Sequence, residues 1–338
     1  MTSRETMGLN GLVVDDAPAI PGLRFRRFDA EQDYELLAGL IGTANLADGI
    51  DELPDATTIR AEHEHTAGFD PRLDTIFAEV DGRLVAYGEV SRTVRTGRAV
   101  YTTSGTVHPE WRRRGLGRAI LRHNERRLRE MATGHEEPGG RILNSWIHDQ
   151  EAGTRQLLKA EGYYPVRSGF AMRRPTLDDL PEARLPNGLE IRPVLAEDHR
   201  AIYDADTEAF LDHFEARERT DEDFVAMFAA PYLDTSLWRV AWAGDQVAGS
   251  VMPTIWAPEN EKLGVRRAWL EHISVRRPWR RRGLARALIL SALEGLRERG
   301  VDEAMLGVDA ENLTGALALY ESLGFVVQDR GSTWRKAW

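Results

Sequence analysis

The sequence predicts an α/β (α+β) protein made of two tandem copies of one domain. Three observations predict it: a length of 338 residues, more than one typical core needs; one segment that occurs twice; and the same order of strand, hairpin, loop and helix signals around each copy. The repeated segment is Val107-His-Pro-Glu-Trp-Arg-Arg-Arg-Gly-Leu-Gly-Arg-Ala119, matched without gaps by Val275-Arg-Arg-Pro-Trp-Arg-Arg-Arg-Gly-Leu-Ala-Arg-Ala287, 168 residues further on.

Each half opens with a strand-like segment, Leu23 to Phe28 or Leu189 to Val194, followed by an acidic, helix-like stretch. Alternating strands then pair across Asp81-Gly82 in the first half and Gly244-Asp245 in the second, which predicts two β-hairpins. A strand ending at Val107 or Val275 runs into the arginine-glycine loop. An amphipathic helix follows, carrying Leu116, Ile120 and Leu121 or Leu284, Leu288 and Leu290. Each half closes with strand, helix and strand, with Gly162 or Gly324 placed to cap the helix. These two glycines are 162 residues apart, so the first half has six additional residues, assigned to Thr133–Gly140. The proline-punctuated stretch before Gly188 reads as a linker. The expected organisation is an N-terminal extension over 1–22, a first domain over 23–174, a linker over 175–188 and a second domain over 189–338.

Composition narrows the chemistry. Hydrophobic residues make up 42% and charged residues 29% of the chain, the balance of a folding globular protein. No apolar run is long enough to span a bilayer, and the N-terminus lacks a basic region followed by an apolar one. A cytoplasmic protein with no membrane partner is expected, as a monomer or homodimer. The absence of cysteine excludes disulfides, thiolate metal sites and a cysteine nucleophile. No ligand spacing supports a metal site. The net charge of −10 opposes nucleic-acid binding, which depends on neutralising phosphates. The arginine clusters therefore have a local purpose.

A strand that enters an Arg-x-x-Gly-x-Gly/Ala turn and then a helix aims several backbone N–H groups at one point, an anion site. Gly115 or Gly283 permits close approach of a ligand, and the small Gly117 or Ala285 avoids a clash with a pyrophosphate. Neither a P-loop nor a dinucleotide-binding fingerprint is present. A solvated basic turn would explain one such loop; its recurrence at the same place in two divergent halves argues for phosphate binding.

Together with Asn312-x-x-x-Ala316-x-x-x-Tyr320-x-x-x-Gly324-Phe325, these loops give the sequence a resemblance to the GNAT family of N-acetyltransferases, once in each half. The resemblance implies, for each domain, a mixed, mostly antiparallel sheet that splays where two parallel strands part, flanked by helices, with acetyl-CoA in the gap. It implies a cofactor site at Ile273, Ser274, Val275, Arg276 and Arg277 on the strand end. The site would continue through Arg280, Arg281, Arg282, Gly283, Leu284, Ala285, Arg286 and Ala287, with Asn312 nearby. The first-half counterpart is Val107, Arg112, Arg113, Arg114, Gly115, Leu116, Gly117 and Arg118.

Amide formation from an alkyl amine needs a proton acceptor, because at neutral pH only about one molecule in a thousand carries a free lone pair. Expulsion of the CoA thiolate is helped by an acid. Two-residue alternation places Glu271 on the same strand face as Ile273 and Val275, and the resemblance implies a carboxylate there as base or substrate anchor and Tyr320 as acid. From pattern alone Tyr320 also fits a core aromatic, and Glu271 an edge residue paired with an arginine. His272 should face away as a structural residue, and His213 sits where it could contact substrate or simply lie on an acidic helix. In the first half Glu271 becomes Thr103, Tyr320 becomes Leu158 and Asn312 becomes Gln150. The C-terminal domain is therefore expected to catalyse transfer from acetyl-CoA to a small-molecule primary amine. Alternatives are acetylation of a cysteinyl sugar conjugate, as in tandem members with an active C-terminal half, and a non-catalytic CoA-binding module. The acceptor would be chosen by Asp204–Phe228 and Pro253–Arg267.

Overall fold

A computed structural model describes residues 12–95, 97–136, 139–213, 215–216, 219–311 and 315–338. The elements of the first half are β1 (Leu23–Arg27), α1 (Gln32–Asp48), α2 (Ala56–His65), the single turn α3 (Pro71–Asp74), β2 (Thr75–Val80), β3 (Arg83–Arg95), β4 (Arg98–Val107), α4 (Leu116–Ala132), β5 (Arg141–His148), α5 (Ala152–Ala160) and β6 (Tyr164–Arg174). The second half contributes β7 (Glu190–Arg192), α6 (His199–Phe210), α7 (Asp221–Ala229), β8 (Arg239–Ala243), β9 (Gln246–Thr254), α8 (Ala257–Leu263), β10 (Arg267–Val275), α9 (Leu284–Glu298), β11 (Glu303–Asp309), α10 (Ala316–Ser322) and β12 (Val326–Ala337). No described helix is long and apolar enough to cross a membrane.

Both hairpins form as their turn chemistry predicts. Asp81 and Gly82 take φ of 50° and 82° between Val80 and its partner Arg83, so both central residues are left-handed, the backbone that suits a two-residue hairpin. Gly244, at φ 65°, opens the corresponding turn between Ala243 and Gln246.

The chain divides into two compact units, but not at the expected boundary. Unit 1 is the chain through Val166 with Ser332–Trp338; unit 2 is Arg167–Gly331. Each half was expected to keep its own closing strand. Instead β6 from Gly169 to Arg174 pairs antiparallel with β11, and the end of β12 lies beside β5, where Arg335 donates to Asn144 and Lys336 reaches Glu125 at 2.8 Å. Strand propensity specifies that a segment pairs, not with which edge, and each exchanged strand satisfies an edge that would otherwise be open. The stretch 175–188 contains no helix or strand, yet Leu177 is 1% exposed in the core of unit 2. It is packed chain rather than a free tether. The segment called an extension likewise contributes Val14 to a core of unit 1. Of the insertion Thr133–Gly140, residues 137–138 lie outside the described residues.

The helix after each loop is an anchor. Leu284, Leu288 and Leu290 of α9 are almost completely buried in the core of unit 2, as are Leu116 and Ile120 of α4 in unit 1. Burying each such side chain contributes roughly 1.5–3 kcal/mol, which fixes the helix N-terminus relative to the strand before it.

Candidate active sites

In each unit the two parallel strands pair only at one end. β4 and β5 are in register from Ala99–Arg141 to Thr102–Asn144, and β10 and β11 from Arg267–Glu303 to Trp269–Met305; pairing then stops. The closed end of the β10–β11 pair is clamped by the buried Arg267–Glu303 pair at 2.7 Å, with Arg173 on the other carboxylate oxygen. Beyond the paired residues, Thr103–Val107 and Leu270–Val275 have backbone groups that no parallel partner satisfies. Extended segments of this kind can pair with an amide-bearing ligand.

The loops share a backbone. Arg113 and Arg281 take φ of 62° and 59°, and Gly115 and Gly283, at 92° and 83°, are the N-caps of α4 and α9. Left-handed residues just before a helix N-terminus turn successive N–H groups to one side, a concave anion site.

The arginines divide into two roles that the sequence did not distinguish. Arg112 donates from Nε to the Val107 carbonyl at 3.2 Å and from its Nη atoms to both oxygens of Asp48 at 2.6 and 2.8 Å. Arg280 does the same with the Val275 carbonyl at 2.8 Å and with Asp212 at 2.5 Å. These side chains hold the preceding helical region to the loop. Arg277 also binds Asp212, and Arg277 and then Arg280 keep that carboxyl well below the usual carboxylate range. Arg276 pairs with Glu208, Arg118 with Glu161 at 2.9 Å, and Arg286 donates to Ser322 at 3.1 Å. Arg114 stacks over Trp111, and Arg113 reaches Gln156 at 3.5 Å. Arg281 and Arg282 are exposed and have no ion-pair partner among the described residues. Replacing Arg280 with Ala is expected to lower the melting temperature, because it removes the bonds that tie the loop to the Val275 and Ala209 carbonyls and to Asp212. Arg281→Ala should leave the melting curve in place and weaken acetyl-CoA binding roughly tenfold. Thermal unfolding and calorimetric titration of both variants check the division.

The remaining loop and strand residues act through backbone or packing. Leu116, Leu284 and Ala287 are buried, and Ile273 and Val275 pack against the core of unit 2. Ser274 Oγ bonds Ser250 Oγ at 3.1 Å in the interior. A Cβ on Gly117 would come within 3.3 Å of Leu157, so the wall there is already close. Unit 1 contains a cavity of about 720 Å³ bordered by Val107, Arg113, Gly117, Tyr87, Asn124 and Gln156. That volume is within the ordinary range for small-molecule sites.

The two residues expected to carry protons, Glu271 and Tyr320, lie in unit 2, where unit 1 has Thr103 and Leu158 at the corresponding positions. β9 and β10 slip register between Leu270, opposite Pro253, and His272, opposite Met252, which leaves Glu271 as the extra residue of a β-bulge. The corresponding β3–β4 ladder runs from Ala86–Val107 to Arg95–Arg98 without a slip. A bulge breaks side-chain alternation and re-aims its residue. Alternation therefore does not set the direction of Glu271; its hydrogen bond does, with Trp256 Nε1 donating to Oε1 at 3.0 Å. The side chain keeps a surface open to water. Crowding by protein nevertheless pushes its carboxyl above the usual range, against the Trp256 bond and the neighbouring His272. Pro253 was the available signal, since proline in a central strand marks a bulge.

Tyr320 is 7% exposed, with its ring 6.1 Å from Phe325, so it is a core aromatic. Its hydroxyl nevertheless has no hydrogen-bond partner among the described residues and is not sealed from solvent. Burial pushes the phenol up to about 12. In unit 1 Thr103 is buried and accepts from Asn124 at 2.9 Å, while Leu158 is 2% exposed in a core. Asn312 lies outside the described residues. His213 lies against Phe210 with ring centroids 4.4 Å apart, and burial pulls its imidazole below the usual range. The sequence reading missed Asp48 and Asp212 as loop clamps, and it missed that His272 Nδ1 meets the buried Asp206 at 2.8 Å. Comparing the helix ends of the two halves would have exposed the aspartates, which recur 164 residues apart.

The family model described as "Acetyltransferase (GNAT) family" matches residues 43–137 and 199–325, well over half of the chain. A mycothiol acetyltransferase of Geodermatophilus obscurus is 32% identical over 88% of this chain and 92% of its own length. One from Salinispora tropica is 31% identical over 87% and 89%. The crystal structure of a GCN5-related N-acetyltransferase from Sphaerobacter thermophilus superimposes with a TM-score of 0.71 at 28% identity, covering 93% of this chain and 95% of that one. A tandem GNAT protein from the clavulanic acid biosynthesis pathway shares the fold, with a TM-score of 0.64 at 19% identity over 93% and 98% of the two chains.

Proposed function

Because the chain belongs to the acetyltransferase (GNAT) family and is an acetyl-CoA-dependent N-acetyltransferase, we propose that unit 2 carries out the transfer, to the primary amine of a small molecule. One contrast supports this most: Glu271 and Tyr320 stand where unit 1 has the buried Thr103 and Leu158. The cofactor lies in the split between β10 and β11, with its pyrophosphate over Arg281–Leu284 and its thioester beyond Trp269. Glu271 attracts the cationic acceptor and takes a proton from its nitrogen. Tyr320 meets the departing sulfur. Unit 1 keeps the anion loop and a cavity and binds CoA without turning it over.

The relatives named mycothiol acetyltransferase favour a finer acceptor, the cysteinyl amine of a sugar conjugate. Release of CoA thiol from acetyl-CoA across a panel of amines, that conjugate included, tests both levels. Glu271→Gln should lower kcat/KM for the amine about 100-fold or more, with little change in acetyl-CoA affinity. Tight CoA binding with no turnover on any amine would instead favour a binding module.

A further inference from the structure

An alkylammonium must lose two protons to become an amide: one before its nitrogen can attack and one after. Glu271 accounts for only one of them. We infer that His272, held by Asp206, is a second proton acceptor in unit 2, the one that removes the proton an ammonium acceptor must lose before it attacks. This rests on the amine-acetylation reading and adds a residue that reading does not use.

The geometry has four parts. First, Asp206 on α6 has a fully buried carboxylate, and its Oδ2 is 2.8 Å from His272 Nδ1 and 2.8 Å from Arg219 Nη1. Desolvation acts to raise this carboxyl, but its bonds to His272 and Arg219 outweigh it and keep the group below the usual range. An ionised carboxylate only accepts, so Nδ1 carries the proton and the neutral ring bears its lone pair on Nε2.

Second, Arg219 already balances the charge of Asp206. The buried carboxylate therefore does not depend on the histidine for its counter-charge. Third, the His272 side chain is 29% exposed, and Nε2 has no partner among the described residues and is not buried. A residue needed only to tie α6 to β10 has no use for that opening. Fourth, His272 directly follows the bulged Glu271, past the point where β10 and β11 part. Unit 1, which lacks the other proton carriers, has Ser104 at the corresponding position. The charged and titratable groups facing His272 are Asp206 and Arg219 from the α6 side, Glu271 on its own strand, and His213 across Phe210. Its partner on β9, Met252, adds none.

The steps balance. Nε2 takes one proton from the ammonium, and the freed lone pair attacks the thioester carbonyl carbon. As the C–N bond forms and the C–S bond breaks, the electron pair leaves with sulfur, which takes the Tyr320 proton. Glu271 takes the second nitrogen proton and returns it to Tyr320, while His272 releases its own to water. Ammonium and thioester give amide, thiol and one free proton.

The test uses the full chain with acetyl-CoA and three acceptors: cysteinyl-glucosamine, glucosamine and 2-phenylethylamine. His272→Gln, which can still donate to Asp206, should lower kcat/KM for the amine about 100-fold near pH 7. Its deficit should shrink about tenfold per pH unit toward the pKa of the acceptor amine, as free amine replaces ammonium. KM for acetyl-CoA should stay within about twofold. Asp206→Asn, which permits the other tautomer, should reproduce this pattern. Independently of any acceptor, nitrogen-15 NMR of the imidazole should place the neutral proton on Nδ1. Unchanged activity in His272→Gln, a loss equal at every pH, or an Nε2-protonated neutral ring would overturn the inference. Failure of the unaltered protein to acetylate any of the three amines would overturn the functional reading instead, whatever the NMR result.

Discussion

Replacing Tyr320 with Phe should lower kcat by about 100-fold or more, the usual worth of a positioned acid, while acetyl-CoA affinity barely changes. The ring is part of the core of unit 2, so phenylalanine preserves the packing and deletes only the hydroxyl, which has no partner among the described residues. The phenol's pKa limits what that hydroxyl can do. Pushed up to about 12, it is more than 3 units above a free thiol of about 8.5, and a completed proton transfer between them would be uphill by roughly 5 kcal/mol. As the proposed acid, Tyr320 would therefore act by hydrogen-bonding the sulfur as negative charge develops, with transfer accompanying expulsion. A desolvated thiolate, itself raised by burial, narrows the gap. The pH dependence follows. A raised phenol stays protonated further into alkali, so kcat should show no loss from Tyr320 up to about pH 10, where an ordinary tyrosine would be half ionised. Steady-state kinetics of both proteins with calorimetric binding of acetyl-CoA measure this; an unaltered kcat would remove Tyr320 from the chemistry.

What the sequence could reveal was local. The arginine-glycine loops, the two hairpin turns and the apolar stripes of α4 and α9 are written in contiguous residues whose backbone preferences act over one or two turns, and the structure forms each of them. Partner choice was not local. Nothing in Gly169–Arg174 says that it pairs with β11 rather than with β5, because either edge accepts an alternating strand. Arg280 looked like a phosphate ligand because its partner, Asp212, just past the end of α6, lies 68 residues away and becomes an acceptor only after the fold closes. The bulge at Glu271 depends on a mismatch between two strands, hinted at only by Pro253, and the β3–β4 ladder of the first half has no such slip. The Asp206–His272 contact crosses 66 residues and turns a histidine set down as structural into a candidate for proton transfer.

The division of roles proposed for the two loops makes the other large prediction. Gly283→Val should abolish turnover, whereas Gly115→Val should leave it within about a factor of two while lowering bound CoA from two per chain to about one. A β-branched residue held at the φ of 83° found at Gly283 carries a strain of about 1–2 kcal/mol. A shift of a few degrees in melting temperature follows, not unfolding. No atom lies within 4 Å of a Cβ built at 283, so the new side chain projects into open space at the N-terminus of α9, where the pyrophosphate is proposed to sit. At Gly115 the Cβ would already meet Pro18 at 3.2 Å, so that variant loses more stability while leaving the chemistry untouched. Binding stoichiometry by calorimetry and turnover with acetyl-CoA, measured on both variants at a temperature below either unfolding transition, separate the units. If Gly283→Val kept its turnover and Gly115→Val lost it, catalysis would belong to unit 1, and Glu271 and Tyr320 would have to be abandoned as its proton carriers.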